Sequence, residues 1–580
     1  MLGRSAASDV TATNKESKSE GKRIGGKGRF VDRLVSCNPE MLDRPPIIVS
    51  INVNKFMRRL VLLLYLCLAL APTLVQADGS DLYRIQCSAC HGPEGKGIPG
   101  VFPPLAGADF LRTHREQALR APMEGLQGPL TVNGQTYHGQ MPSVALRDPQ
   151  MVELFNFIFS AWGNALPTTN LKEIAEVRSR SRYPTFEQLV ESMCPTTLPP
   201  APEGWKLRVV LPLKFNPTRV IAHPNQRDIL MLAANGDVWR WDQSSPEPTR
   251  LFTGTDYLNA SLGGPACLGL GVDRRGRLYV VSNQCNKQKQ PVTNEVTIFR
   301  ATTDASGQWN KPTPWLRTAY PFGVGPYNHG ASHIEQGPDG FLYVSNGART
   351  DGNEAGQSDL YYKGGEVPLT AALWRIDPEA TEPTIEVFAR GLRNTYHFTW
   401  DHAGRLLGVE NGPDADAPEE LNVLSLGGHY GFPFQFSDWS RKPYPHTPDA
   451  PTGLTITRPI RNLGPDACGP DGPTATFTPH SSPSAIVELG ADWPAPLGGQ
   501  LLVARFGNLI SQSGGYDVLR LKVDFTRQTT ETHAVLQPLG RPISLVKLPG
   551  HRLLIAEYTR GTTLGAGLST PGRLLILEPK

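Results

Sequence analysis

The chain has no long hydrophobic run. Its longest, Leu60–Leu70, is eleven residues, whereas a membrane-spanning helix needs about 20. It also lacks an excess of one charge. Lys and Arg number 57 against 54 Asp and Glu, for a net +3. That small excess lies at the front: residues 1–59 carry a net +6, so the rest nets −3. The body therefore has no basic footprint of the kind nucleic-acid binding requires. Cysteine is scarce too, with 8 in 580 residues and no two adjacent. Glycine (58) and proline (53) are abundant, which favours many turns and short strands over long helices. At about 150 residues per domain, the length predicts two to four domains.

Two of the few cysteines form Cys87-Ser88-Ala89-Cys90-His91. Cys-x-x-Cys-His is the attachment signature of a c-type haem: two thiols one helical turn apart bond the porphyrin edge, and the histidine turns to the iron. A haem so held carries one electron at a time, so the rest of the chain must supply the electrons.

Before this motif, residues 1–56 are polar and irregular. Met57-Arg58-Arg59, the apolar run and Val75-Gln76-Ala77 then have the order of a secretory signal peptide over 57–77, cleaved near Ala77. On that reading Met57 is the true start and the preceding residues are an over-call. A retained anchor is the alternative. Export to the periplasm suits a c-type haem and predicts a soluble or loosely membrane-associated protein. It also permits disulfides, with Cys267 expected to pair with Cys285 and Cys194 with Cys468. Buried free cysteines are the alternative.

Residues 78–165 read as one small helical domain. Ser80 is placed to cap a helix that runs into the haem motif, and a Gly/Pro-rich loop follows. Met151, Leu154, Phe155 and Ile158 share one face of a later helix. Between them, Tyr137-His138-Gly139-Gln140-Met141-Pro142 resembles the distal-ligand turn of class I cytochromes c, as does the closing Trp162-Gly163-Asn164. The resemblance makes His91 and Met141 the two iron ligands, with Met123 and Met151 as competitors for the second place. Methionine ligation raises the haem potential and makes it an acceptor. Residues 166–204 read as a Pro-rich linker with one short helix near 172–182.

From Trp205 onward the pattern changes to strands, and one phrase recurs: a tight polar turn, then an apolar strand ending in small residues. It appears as NQRDILMLAANG, DRRGRLYVVSN, GPDGFLYVSNG, DHAGRLLGVENG, LGGQLLVARFGN and PGHRLLIAEYTRG. Six such units over 205–580 predict a six-bladed β-propeller. The fold class expected for the whole is multidomain: a small all-α domain followed by an all-β propeller.

Propellers bind ligands at one mouth, on loops between strands. Three polar groups lie on loops beside the repeats. The first holds His329 and His333, and a histidine can serve as general base. The second is Arg393-Asn394, where a guanidinium at a channel mouth calls for an anion or a developing negative charge. The third is Glu410-Asn411-Gly412-Pro413 with Asp414, Asp416, Glu419 and Glu420, where turn carbonyls and carboxylates suit a hard cation such as Ca²⁺. A plain solvated acidic loop is the alternative for those carboxylates.

In the spacing of His329 to Gly337-Pro338-Asp339, then GLRN, NGPDADAPEELN and GGHYGFP, the segment 205–580 resembles the soluble quinoprotein glucose dehydrogenase and sorbosone dehydrogenase family. The resemblance implies a six-bladed propeller holding pyrroloquinoline quinone (PQQ) and Ca²⁺. It makes His329 the base for the sugar C1 hydroxyl, with hydride passing to C5 of the quinone. Arg393 would stabilise charge on the quinone oxygen, with Asn394 beside it, and the carbonyls of Gly412 and Pro413 would hold Ca²⁺. Because PQQ has three carboxylates, Arg349 and Arg505 are the expected further cations, and His333 and His480 are further candidates to line the pocket. The chain departs from the pattern at Asn328, where soluble glucose dehydrogenase has an aspartate, and at Gly330 and Ala331, so no single sugar is expected.

The two halves together predict a quinohaemoprotein. An aldose or related sugar is oxidised to its lactone, and the electrons pass through the haem to an external cytochrome or terminal oxidase. The rival readings are a Ca²⁺-dependent lactonase, which gains nothing from a haem, and a non-catalytic binding propeller attached to an electron-transfer cytochrome. An eight-bladed PQQ alcohol dehydrogenase is a third, and it should show Trp-rich repeats and a vicinal cysteine pair, which this chain lacks.

Overall fold

The structure, a computed structural model, describes residues 79–98, 100–139, 141–192, 197–324, 328–356, 358–437, 442–466, 476–508, 514–561 and 570–580. The expected leader, signal peptide and Cys194–Cys468 pair lie outside the described residues. Among the described residues, no helix is long and apolar enough to cross a membrane.

The N-terminal part is a small helical body. Helix α1 (Gly79–Gln86) leads into α2 (Ser88–His91), which carries the haem motif. Because α1 begins at Gly79, Ser80 lies within its first turn rather than capping it. Helices α3 (Phe110–Thr113) and α4 (Arg115–Glu124) follow, then a short hairpin and α5 (Asp148–Ser160). The predicted apolar face of α5 is buried: Met151, Leu154, Phe155 and Ile158 join Leu82 and Tyr83 of α1 in one core. Asn164 stitches the ends together, donating to the carbonyls of Leu105 at 3.0 Å and Ile158 at 2.8 Å.

The expected linker holds its one short helix and a second that was not expected. Residues 166–204 contain α6 (Leu171–Ser179) and α7 (Phe186–Ser192). Asn170 caps α6 by accepting from the Glu173 amide, and Ile174 and Val177 enter the α1–α5 core. Arg115 on α4 fixes the same helix through Glu173, at 2.8 and 3.0 Å. Apolar periodicity in α6 outweighs the flanking prolines.

The C-terminal part consists of six sheets, antiparallel except where the short edge strand Arg461–Asn462 pairs parallel to Thr529–Leu536. Their innermost strands are β1 (Pro217–Ala222), β2 (Pro265–Val272), β3 (Ala331–Gln336), β4 (Thr395–Trp400), β5 (Pro483–Glu488) and β6 (Pro542–Leu548). Each packs on the next and β6 returns to β1, which closes a ring. The recurring sequence phrase is the second strand of every blade: Ile229–Ala233, Leu278–Asn286, Leu342–Asn346, Leu406–Glu410, Leu501–Arg505 and Arg552–Glu557. These strands are buried on both faces, which explains why they read as continuous apolar runs. The last blade takes its outer strand, Trp205–Pro212, from the start of the segment, paired to Arg573–Pro579. This pairing ties the two ends of the propeller together.

All six innermost strands carry a one-residue irregularity near their first residue, at Pro217/Arg219, Cys267/Gly269, Ala331/Ile334, Thr395/His397, Pro483/Ala485 and Pro542/Ser544. Bulges re-aim side chains and increase twist, and several stitch adjacent blades here. Thr218 Oγ1 donates to the Cys267 carbonyl at 2.7 Å, and Ser484 Oγ to the Pro542 carbonyl at 2.6 Å. In the ring of six, β1 and β4 face each other across the channel. Arg219 of β1 reaches the Tyr396 carbonyl of β4 at 3.0 Å and lies 4.6 Å over the Tyr396 ring, while Tyr396 Oη donates back to the Thr218 carbonyl at 3.0 Å. The two side chains thus span the channel's diameter.

The expected Cys267–Cys285 bridge does not form. Cys267, a buried free thiol, lies opposite Ser282, and Cys285 is three positions further along that strand. The thiol sits instead in an apolar cluster with Leu230, Leu270 and Val280.

Candidate functional site

Two sites emerge. In the helical body, Cys87, Cys90, His91 and Met141 line one cleft whose walls include Phe102, Leu154 and Phe155. Met123 and Met151 are 1 % and 0 % exposed in the core and do not line that cleft. Met141 is held there by paired backbone bonds with Leu126, both 2.9 Å. His91 Nδ1 meets the Pro103 carbonyl at 2.9 Å. As a donor to that carbonyl it leaves Nε2 with its lone pair toward the cleft, the arrangement a metal-ligating histidine uses. Burial lowers the His91 pKa and so favours the neutral ring that ligation needs. The thiols, the ring and the thioether fit a c-type haem.

The second site lies where the innermost strands of the propeller begin. His329 directly precedes β3 and Arg393-Asn394 directly precede β4, while Gly412-Pro413 follow the second strand of the β4 blade. Antiparallel pairing brings all three loops to one end of the channel. Backbone bonds bind them to each other. The His329 amide reaches the Ala348 carbonyl at 3.2 Å, the Ala348 amide the Arg393 carbonyl at 2.6 Å, and the Asn411 amide the Asn394 carbonyl at 3.1 Å. Gly347 is required at this junction, because a Cβ there would overlap His329 Cβ and press on Asn394 Oδ1.

His329 is half-buried. Burial, then the Arg393 charge, holds its pKa well below the ordinary imidazole value. Its Nδ1 faces Asn394 Nδ2 at 3.3 Å, and its buried Nε2 has no partner among the described residues. Arg393, 3 % exposed, is aimed by Asp351 Oδ1 at 2.5 Å and the Asn411 carbonyl at 3.1 Å. Its Nε is also unpartnered. Asp351 in turn accepts from the Asp414 amide and the Tyr444 hydroxyl. The sequence reading missed Asp351 and Tyr444. Asp351 stands two residues past Arg349 on the loop that follows a repeat phrase, a position that could have exposed it.

Gly412 donates its amide to Glu419. Among the described residues, no hydrogen bond reaches the carbonyl of Gly412 or Pro413. Buried carboxylates crowd behind them. Glu410 and Glu420 stand opposite each other on neighbouring strands and share Asn422 Nδ2 at 3.1 and 2.8 Å. Burial, then Glu420, pushes the Glu410 pKa well up. Two carbonyls that no hydrogen bond reaches, backed by carboxyls whose ionisation a cation would favour, fit a hard cation.

The other predicted cations are engaged elsewhere. Arg349 is fully buried and donates to four carbonyls, of Pro321 (3.2 Å), Phe322 (3.1 Å), Gly364 (2.8 Å) and Gly365 (2.6 Å). It staples two loops together. Arg505 is bidentate to Asp517, at 2.9 and 2.6 Å, and reaches Asp466 at 2.7 Å. Burial opposes its charge, but the two aspartates outweigh burial and raise its pKa. The structure does not bring either guanidinium to His329. Arg541, just ahead of β6, was not anticipated. It is engaged as well: buried, it donates to the carbonyls of Gly507 (3.1 Å) and Asn508 (3.3 Å) and to Tyr516 Oη (3.2 Å), and lies 4.9 Å over the Tyr516 ring. His333 is stacked on His397, with ring centroids 4.1 Å apart. His480 is bound to Asp416 at 2.8 Å.

Residues 216–555 match the family model Glucose / Sorbosone dehydrogenase, and residues 76–162 match Cytochrome c. A cytochrome c-552 from Thermus thermophilus is 40 % identical over 121 residues, 19 % of this chain and 81 % of that protein. The cytochrome c subunit of an alcohol dehydrogenase (quinone) from Gluconobacter oxydans is 30 % identical over 106 residues, 17 % of this chain and 22 % of that one. Among solved structures, the PQQ-bound form of the aldose sugar dehydrogenase of Streptomyces coelicolor is 19 % identical. It covers 66 % of this chain and 100 % of its own, with a TM-score of 0.45. The apo-form of the soluble aldose sugar dehydrogenase of Escherichia coli is 13 % identical over 65 % of this chain and 100 % of its own, with a TM-score of 0.45.

Proposed function

Since the chain belongs to the glucose/sorbosone dehydrogenase family and carries a cytochrome c domain ahead of its propeller, we propose that it is an exported, PQQ-dependent sugar dehydrogenase. It oxidises an aldose or related sugar to the lactone and hands the electrons to its own c-type haem, then to an external respiratory acceptor. The observation that carries this reading is the meeting of His329, Arg393 and Gly412-Pro413 at one mouth, on the same chain as a haem cleft.

When bound, PQQ supplies a two-electron acceptor for the sugar carbon, and haem supplies a one-electron carrier. The chain's own residues do the rest. His329 Nε2, buried and unpartnered, takes the proton of the C1 hydroxyl, and its lowered pKa keeps the ring neutral. Arg393, fixed by Asp351, presents positive charge where negative charge grows. The carbonyls of Gly412 and Pro413 would hold Ca²⁺, with the carboxylates behind them balancing its charge. A lactonase reading leaves the haem cleft without a purpose.

The test is an absorbance spectrum of the oxidised protein with PQQ and Ca²⁺ during addition of a panel of aldoses, with no mediator. Reduction of the haem bands by a sugar, requiring PQQ and lost in His329→Ala, is the expected result. If dithionite reduces the haem and no sugar does, the dehydrogenase reading fails.

A further inference from the structure

A base must present a lone pair to the proton it takes, and a neutral imidazole has only one. Which ring nitrogen carries it is set by the partner of the other nitrogen. For His329 that partner is Asn394, whose Nδ2 stands 3.3 Å from Nδ1. An amide N–H in that place donates to Nδ1. The ring proton then sits on Nε2, which faces the site as an N–H and can accept nothing. If the amide turns by 180°, Oδ1 takes the same place, the ring proton moves to Nδ1, and Nε2 becomes the base. A carboxamide can serve in either orientation, because its two ends have nearly the same shape and opposite hydrogen-bonding character.

The surroundings suit such a role. Asn394 is 7 % exposed, so water competes little for its amide. Its backbone is pinned by the Asn411 amide, and that of Arg393 by the Ala348 amide. The absence of a Cβ at Gly347 leaves the space Asn394 Oδ1 occupies. Nε2 has no protein partner among the described residues, so nothing on that side of the ring fixes the tautomer.

We infer that Asn394 is the tautomer-setting partner of His329, and that the orientation of its amide decides whether Nε2 can take the substrate proton. The inference rests on the proposed reaction, in which the C1 O–H bond breaks and its proton bonds to Nε2. The C1 hydrogen leaves with two electrons to the quinone acceptor. Asn394 acts through His329, as a positioning residue.

The test begins with the cofactor-free protein carrying ¹⁵N-histidine, with His329→Ala to assign the resonances. Wild type should show one dominant His329 tautomer. Asn394→Asp, which can only accept, should lock the proton on Nδ1 and raise the His329 pKa. Asn394→Ala, which can neither donate nor accept, should give a mixture. Identical tautomer populations in all three proteins would overturn the inference, whether or not any sugar reduces the haem. With the loaded enzyme, Asn394→Asp should move the acidic limb of the sugar-dependent rate to higher pH. Asn394→Ala should lower kcat only by the fraction of the ring left in the wrong tautomer, with little change in KM, well short of the roughly 10⁴-fold cost of a tautomer locked the wrong way. An unchanged acidic limb in Asn394→Asp would equally count against it.

Discussion

His329, Arg393 and Asn394 were legible in the sequence because each sits on a loop next to a strand that repeats. Their partners were not, because a sequence displays a charge without what surrounds it. Arg349 and Arg505 look alike as cations, yet one binds four carbonyls and the other two aspartates. Two predictions belong to this scale. With its folded pKa lowered, His329 remains a neutral base as pH falls through about 6.5, the ordinary histidine value. The sugar-dependent rate should therefore hold through that pH and fall only below it, which a pH profile of haem reduction measures. Arg505→Leu should destabilise the fold by about 3–5 kcal/mol, because it leaves buried carboxylates unpaired. Denaturant titration checks this.

At the scale of elements, the repeated phrase located six second strands, and with them six blades. Period-two alternation did not mark the innermost strands, since a bulge near the start of each shifts the register. The α6 helix was expected near 172–182, whereas α7 was not, because the prolines around it pointed to an open connector. The turn into β3 depends on Gly330. It has φ +70°, and a Cβ there would collide with the Asn283 amide. That amide clamps Ala331, accepting from its N–H at 2.8 Å and donating to its carbonyl at 2.7 Å. Gly330→Ala is expected to cost about 1–3 kcal/mol, visible as a lower thermal midpoint, and to displace the neighbouring His329.

At the scale of the molecule, the donor site and the haem cleft share one covalent chain. A tether of this kind sets an effective concentration in the millimolar range. Sugar-driven haem reduction should therefore be first order and unchanged on tenfold dilution of the protein, a stopped-flow measurement; a rate that falls with dilution would mean that electrons pass between molecules. The propeller also has an inner constraint of its own. Arg219 and Tyr396 bar the channel from wall to wall. The passage behind the site is therefore a cul-de-sac, and one doorway serves both arrivals and departures. A lactone that lingers there turns away the next sugar, so product should inhibit competitively, and opening the far end by Arg219→Ala should relieve that congestion.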